Sequence, residues 1–163
     1  MATESLLVSG IIAVAYPKLT KSRVQGLKAY SDFMSTYKRK LWLSSFVLYT
    51  CSSAAGMVLF IILDGEYINN RSVFLFLVIA SLIKINEQPL HHSMITLGGE
   101  KHIMYIGLAS VFLVLCLSYF LIQSYGFIGI GPALLATAVF SHLSKILAER
   151  LLRFHYWQVK AVM

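Results

Sequence analysis

The chain has 163 residues, 58% of them hydrophobic and 13% charged, with a formal net charge of +7. A mean hydropathy of +0.72 is too high for a water-soluble domain of this length. The apolar runs are continuous rather than alternating, which points to membrane helices and away from a β-barrel.

The positive charge fits cytoplasmic loops and anionic lipid headgroups, not nucleic acid. Cys51 and Cys116 fall inside apolar runs, in no metal or redox spacing. They are expected to be small buried hydrophobes.

In chain order, residues 5–16 are apolar but too short for a span of roughly 20 residues. Ala13-Val14-Ala15 resembles a signal-peptidase site, but Glu4 precedes the run, no Lys or Arg does, and a basic segment follows. The preferred reading is the end of a transmembrane helix, which Pro17 ends or bends.

Residues 17–40 carry Lys18, Lys21, Arg23, Lys28, Lys38, Arg39 and Lys40 against one acid, Asp32. Val24, Leu27, Tyr30, Met34, Tyr37 and Leu41 recur at three and four, which makes one apolar stripe. This predicts an amphipathic helix in the membrane interface. Its stripe would lie in lipid, with Lys18, Lys21, Arg23, Lys38, Arg39 and Lys40 near headgroup phosphates.

Residues 41–63 form an uncharged span whose small residues, Ser44 to Gly56, suit close helix packing. A polar turn, 64–72, leads to a second span, 73–97. Gly98-Gly99 then ends that helix. Spans at 103–122 and 128–148 follow, joined by a turn at 123–127, with Pro132 in the first turn of the last helix. Residues 149–163 read as a polar tail in which Tyr156 and Trp157 suit a headgroup anchor.

The fold class is therefore an all-α membrane bundle. It has four complete transmembrane helices, a partial amino-terminal one and an interfacial amphipathic helix. Of the fourteen Lys and Arg, Arg71 alone falls on the side of the 64–72 and 123–127 turns, and Lys84 and Lys145 fall within spans. The positive excess places the 17–40 segment and the carboxyl terminus in the cytoplasm.

The span 73–97 is unusual. Its apolar start gives way to Ser81, Lys84, Glu87, Gln88, Pro89, His91 and His92. On a helical wheel, Ser81, Lys84, Glu87, Gln88, His91 and His92 fall within an arc of about 140°. Pro89 removes the bond to the Ile85 carbonyl, so a bend is expected there. Polar groups at membrane depth face protein or water. One reading is that Lys84, Glu87, Gln88, His91 and His92 line a substrate cavity. Another is that they tie helices together. A haem held by His91 or His92 with His142 is a third, resting on one isolated pair. Lys145, near a helix end, is expected to snorkel to the headgroups. No zinc spacing and no catalytic motif is present, so no metal, cofactor or enzymatic activity is expected.

Several short patterns occur in order. They are Tyr16-Pro17-Lys18-Leu19, Leu63-Asp64-Gly65-Glu66-Tyr67, Thr96-Leu97-Gly98-Gly99-Glu100-Lys101 and Tyr125-Gly126-Phe127-Ile128-Gly129-Ile130-Gly131. The set resembles the carboxy-terminal part of polysaccharide (O-antigen type) flippases of the multidrug/oligosaccharidyl-lipid/polysaccharide exporter superfamily. The resemblance implies a bacterial inner-membrane exporter of lipid-linked oligosaccharide. It also implies a missing amino-terminal part, since such transporters pair two lobes around a cavity and rock one against the other. Lys84 would then attract the substrate's diphosphate or acidic sugars, and Glu87, His91 and His92 could couple transport to protons. The alternatives from other classes are a small four-helix haem or quinone redox protein and a structural membrane subunit.

Overall fold

The computed structural model describes residues 2–62 and 71–162, with side chains from 14 to 58, at 62 and from 71 to 159. The expected Leu63–Tyr67 pattern lies outside the described residues. The described elements are helical throughout. They are α1 (Ala2–Gln25), α2 (Leu27–Ile62), α3 (Arg71–Asn86), α4 (Gln88–Thr96), α5 (Glu100–Tyr125) and α6 (Ile130–Val162). A short 3-10 turn, Gly126–Gly129, joins α5 to α6.

Pro17 does not end α1, although it lacks a donor for the carbonyl four residues back. The helix runs on because Ala15 and Leu19 are buried against Tyr30, Met34 and Tyr37 of α2. The break comes instead at Gly26, whose φ of +122° suits a residue without a Cβ. The expected helix over 17–40 is thereby divided between α1 and α2. Its second half is continuous with the first apolar span in a single helix of 36 residues. At about 1.5 Å per residue that helix is roughly 54 Å long, well beyond a hydrocarbon core of ~30 Å.

The stripe on the basic segment also differs from expectation. Tyr30, Met34, Tyr37 and Leu41 are buried within the protein rather than turned to lipid, while Val24 and Leu27 are exposed. Three-and-four spacing makes a seam that either lipid or other helices can cover, and here α1 covers much of it, with α4 and α6 meeting Tyr30.

The span expected over 73–97 is two helices. The interruption lies at Glu87, two residues before Pro89, which sits in the first turn of α4. Three stretches of the described residues are long and apolar enough to cross a membrane: Leu27–Val58, Arg71–Thr96 and Glu100–Val159. The last folds back on itself. A Cβ on Gly129 would lie 2.3 Å from the Leu121 carbonyl oxygen, and one on Gly99 would lie 2.3 Å from Leu152 Cδ1. The two contacts together make α5 and α6 an antiparallel pair.

α6 continues to Val162, so most of the expected tail is helix. Its end packs on protein. Trp157 meets the Tyr30 ring at 6.5 Å, and Arg23 lies 5.3 Å from the centre of the Tyr156 ring.

The Gly129 contact is with backbone, which cannot swing aside as a side chain would. Gly129→Ala is expected to lose about 3 kcal/mol, the upper range for overpacking. At Gly107 in α5 an added Cβ would meet nothing within 4 Å. Gly107→Ala should therefore hold or raise stability slightly through helix propensity. Thermal midpoints of both variants in detergent micelles check the contrast.

The burial pattern is inverted relative to a water-soluble domain. Ser45, Ser93, Thr96, Thr137, Ser141, Glu87 and Glu149 are buried. Phe112, Leu115, Tyr119 and Phe120 of α5 are exposed, Phe112 to 71%. Cys51 is exposed and Cys116 partly so, contrary to the buried role expected of them.

Candidate functional site

The break between α3 and α4 places Glu87 at a junction of three helices. Its backbone N–H still donates to the Ile83 carbonyl (3.1 Å), and its carbonyl accepts from the His91 N–H (3.0 Å). The side chain turns inward to α6. Glu87 Oε2 accepts from Lys145 Nζ at 2.7 Å and from Ser141 Oγ at 3.2 Å. Lys84 Nζ stands 3.6 Å from the same oxygen.

The two lysines are not equivalent. Side-chain exposure is 13% for Lys145 and 49% for Lys84, against 3% for Glu87. The partly buried lysine on α6 makes the closer contact with the carboxylate, and Lys84 is the more exposed of the two. Lys145, expected near a helix end, lies mid-way along α6 and turns to Glu87. Burying a carboxylate in an apolar bundle is costly, and a close cation offsets much of that cost. Glu87 Oε1 has no hydrogen-bond partner among the described residues.

A second buried carboxylate lies one to two turns further along α6. Glu149 Oε1 accepts from Ser93 Oγ of α4 at 2.8 Å and from Arg153 Nε at 3.1 Å, with Arg153 Nη2 also bound to it. Since the Ser93 hydroxyl donates to Glu149, the Tyr30 hydroxyl of α2 is the donor in its own bond to Ser93 Oγ. The Arg153 guanidinium also sits 5.5 Å from the centre of the Tyr30 ring. One chain of polar contacts thus joins α2, α4 and α6.

The residues expected to form a cavity face are spread over different neighbours. Glu87 meets α6. His92 packs edge-on against Tyr16 of α1 at 5.8 Å, and against His91 at 5.7 Å. Gln88 and His91 are half-buried, and Lys84 is exposed. None of the five lines the groove of about 740 Å³ on the α2 side of α3. His142, on the far wall of that groove, has its Nδ1 buried without a partner. Among the described residues no three His, Cys, Asp or Glu side chains gather as a metal site.

Of the six cations expected at headgroups, Lys18, Lys21, Arg39 and Lys40 are exposed. Arg23 and Lys38 are partly buried.

Compared with known protein families, curated proteins and solved structures, the chain matches none.

The sequence pattern does not single out Glu149, Ser93, Tyr30 or the role of Lys145. Glu149 and Arg153 are four apart, which is a signal for a pair on one helix. That signal is hidden when residues 149–163 are taken as an irregular tail. Ser93 falls off the polar arc of the 73–97 helix, because the arc assumes one unbroken helix. What the arrangement provides is compensated charge inside an apolar bundle, with two carboxylates each held by a cation of α6.

Proposed function

We propose that the chain is a multi-pass membrane bundle and the carboxy-terminal part of an inner-membrane exporter that moves lipid-linked oligosaccharide. The observation that carries the membrane half of this reading is the burial pattern, with serines and two carboxylates inside and large apolar and aromatic side chains of α5 outside. Four membrane crossings fit, because the longest apolar stretch folds back as the α5–α6 pair. Positive residues then gather on the side of the α1–α2 junction and the end of α6, which is the cytoplasmic side.

The exporter half rests on the ordered sequence patterns and on Lys84. This cation stands exposed beside a buried carboxylate that is already neutralised by Lys145. It is free to face a second lobe and to attract a diphosphate. Ser52, Ala54 and Ala55 of α2 present exposed small side chains, which suit close packing with a helix from another part of the transporter. No bond of the substrate is made or broken in this role.

The test is surface polysaccharide output from the reassembled transporter. Lys84→Ala is expected to lower it at least about tenfold, the effect of roughly 1.4 kcal/mol at the transport barrier. Lys84→Arg should retain most of the output. Unchanged output with Lys84→Ala removes this cation from transport and favours a structural subunit.

A further inference from the structure

A groove with a volume of about 740 Å³ lies between α2, α3 and α6, with Pro89 and Leu90 of α4 also lining it. Lys38 and Arg39 stand at one end, Trp42 lies one turn further, and Phe46, Ile79 and Ile83 line the apolar length. The end-to-end span from Lys38 to Phe46 is about 12 Å along the helix. This is a slot with a cationic mouth and a mostly apolar barrel, in which Asn86 and His142 are the polar groups.

No carboxylate of the described residues lines it. Among the described residues neither Lys38 nor Arg39 takes part in a salt bridge. Lys38 is partly buried, and the charges that act on it are Glu149, Arg150 and Arg153. Glu149 is already held by Arg153, so the mouth keeps a net positive charge. A partly buried cation without a counter-ion is unfavourable, and a phosphate supplies one. Trp42 lies where the slot passes from charged to apolar, the position an indole takes at a lipid headgroup.

We infer that this groove is a binding site for one anionic phospholipid of the bilayer. The phosphate sits on Lys38 and Arg39, and one acyl chain lies along Phe46, Ile79 and Ile83. The assignment stands on the charge and shape of the groove and does not depend on the exporter reading. It predicts a held lipid rather than a loose annulus, because the acyl chain is walled by three helices instead of one.

The chain contains two tryptophans. In Trp157→Phe protein, Trp42 is the sole tryptophan, and excitation at the red edge of indole absorption makes it report on the groove directly. The full chain is reconstituted in phosphatidylcholine vesicles containing about 10 mol% of either phosphatidylglycerol or phosphatidylcholine brominated on its acyl chains. Brominated phosphatidylglycerol is expected to quench Trp42 with at least about fivefold greater apparent affinity, given the attraction of basic residues for anionic lipid. Lys38→Gln with Arg39→Gln should abolish the preference, and Lys38→Arg with Arg39→Lys should keep it. Equal quenching by the two lipids overturns the assignment. So does a preference that survives the double Gln variant, which would belong to general surface charge. Weak quenching by both lipids also overturns it, because a protein segment would then cover the groove.

Discussion

Glu87→Leu and Lys145→Met are each expected to destabilise the bundle by about 3–5 kcal/mol, whereas the same two substitutions together in one chain should recover most of that loss. The reason is asymmetric. Each single change leaves its partner without its close counter-ion, Glu87 buried and Lys145 largely so. Lys145 is 13% exposed and Glu87 3%. The outward lysine is a poor substitute, since Lys84 stands 3.6 Å from the carboxylate and is largely exposed. Lys84→Ala should accordingly change stability by only about 0–1 kcal/mol, as an exposed pair does. Removing both buried charges leaves an apolar contact between α3 and α6, which is often neutral or better than the pair it replaces. Unfolding free energies from denaturing-detergent titrations of the four proteins form a double-mutant cycle. A coupling energy of at least about 4 kcal/mol follows from two large single losses and a small double loss, above the usual range for groups in contact. Additive losses would mean that Glu87 and Lys145 do not meet.

This pair marks how far the sequence alone can be read. The all-helical class and the apolar stretches are local properties, visible in runs of uncharged residues. The interruption near Pro89 is equally local, because the proline removes a donor wherever it falls. Which group pairs with Glu87 is not local. Lys84 is three residues away and wins on sequence distance, but Lys145 wins in space because α6 packs against α3. The same limit applies to the basic segment. Its Tyr30-Met34-Tyr37 stripe is legible as an apolar seam, but whether lipid or α1 covers it depends on how the chain turns at Gly26. The tail misleads for a third reason. Charged and aromatic residues after an apolar span look like a headgroup-level end, although their spacing is helical throughout. Glu149 is buried, and Arg153 and Trp157 partly so, by contacts that only the fold provides.

Replacing Glu149 is the second large effect, and it separates the roles of the groups around that carboxylate. Glu149→Ala removes the acceptor shared by Ser93 and Arg153, and leaves the Tyr30–Ser93 bond without its terminal anchor. Arg153 retains 29% side-chain exposure and can turn part-way to solvent or headgroups. The loss is therefore placed near about 3 kcal/mol, the lower end for breaking a buried pair. Tyr30→Phe keeps the ring against Trp157 and Arg153 and removes one hydroxyl donor only. Ser93 loses an optional acceptor contact and keeps its own donation to Glu149, so about 1 kcal/mol is expected. Ser93→Ala falls between the two, because it cuts the link while leaving both the Tyr30 hydroxyl and one face of the carboxylate unpaired. The ordering Glu149→Ala, then Ser93→Ala, then Tyr30→Phe is a property of a linear relay ending on a carboxylate. Thermal midpoints in one detergent test it. If Tyr30→Phe proved as damaging as Glu149→Ala, the hydroxyl rather than the carboxylate would anchor the junction of α2, α4 and α6.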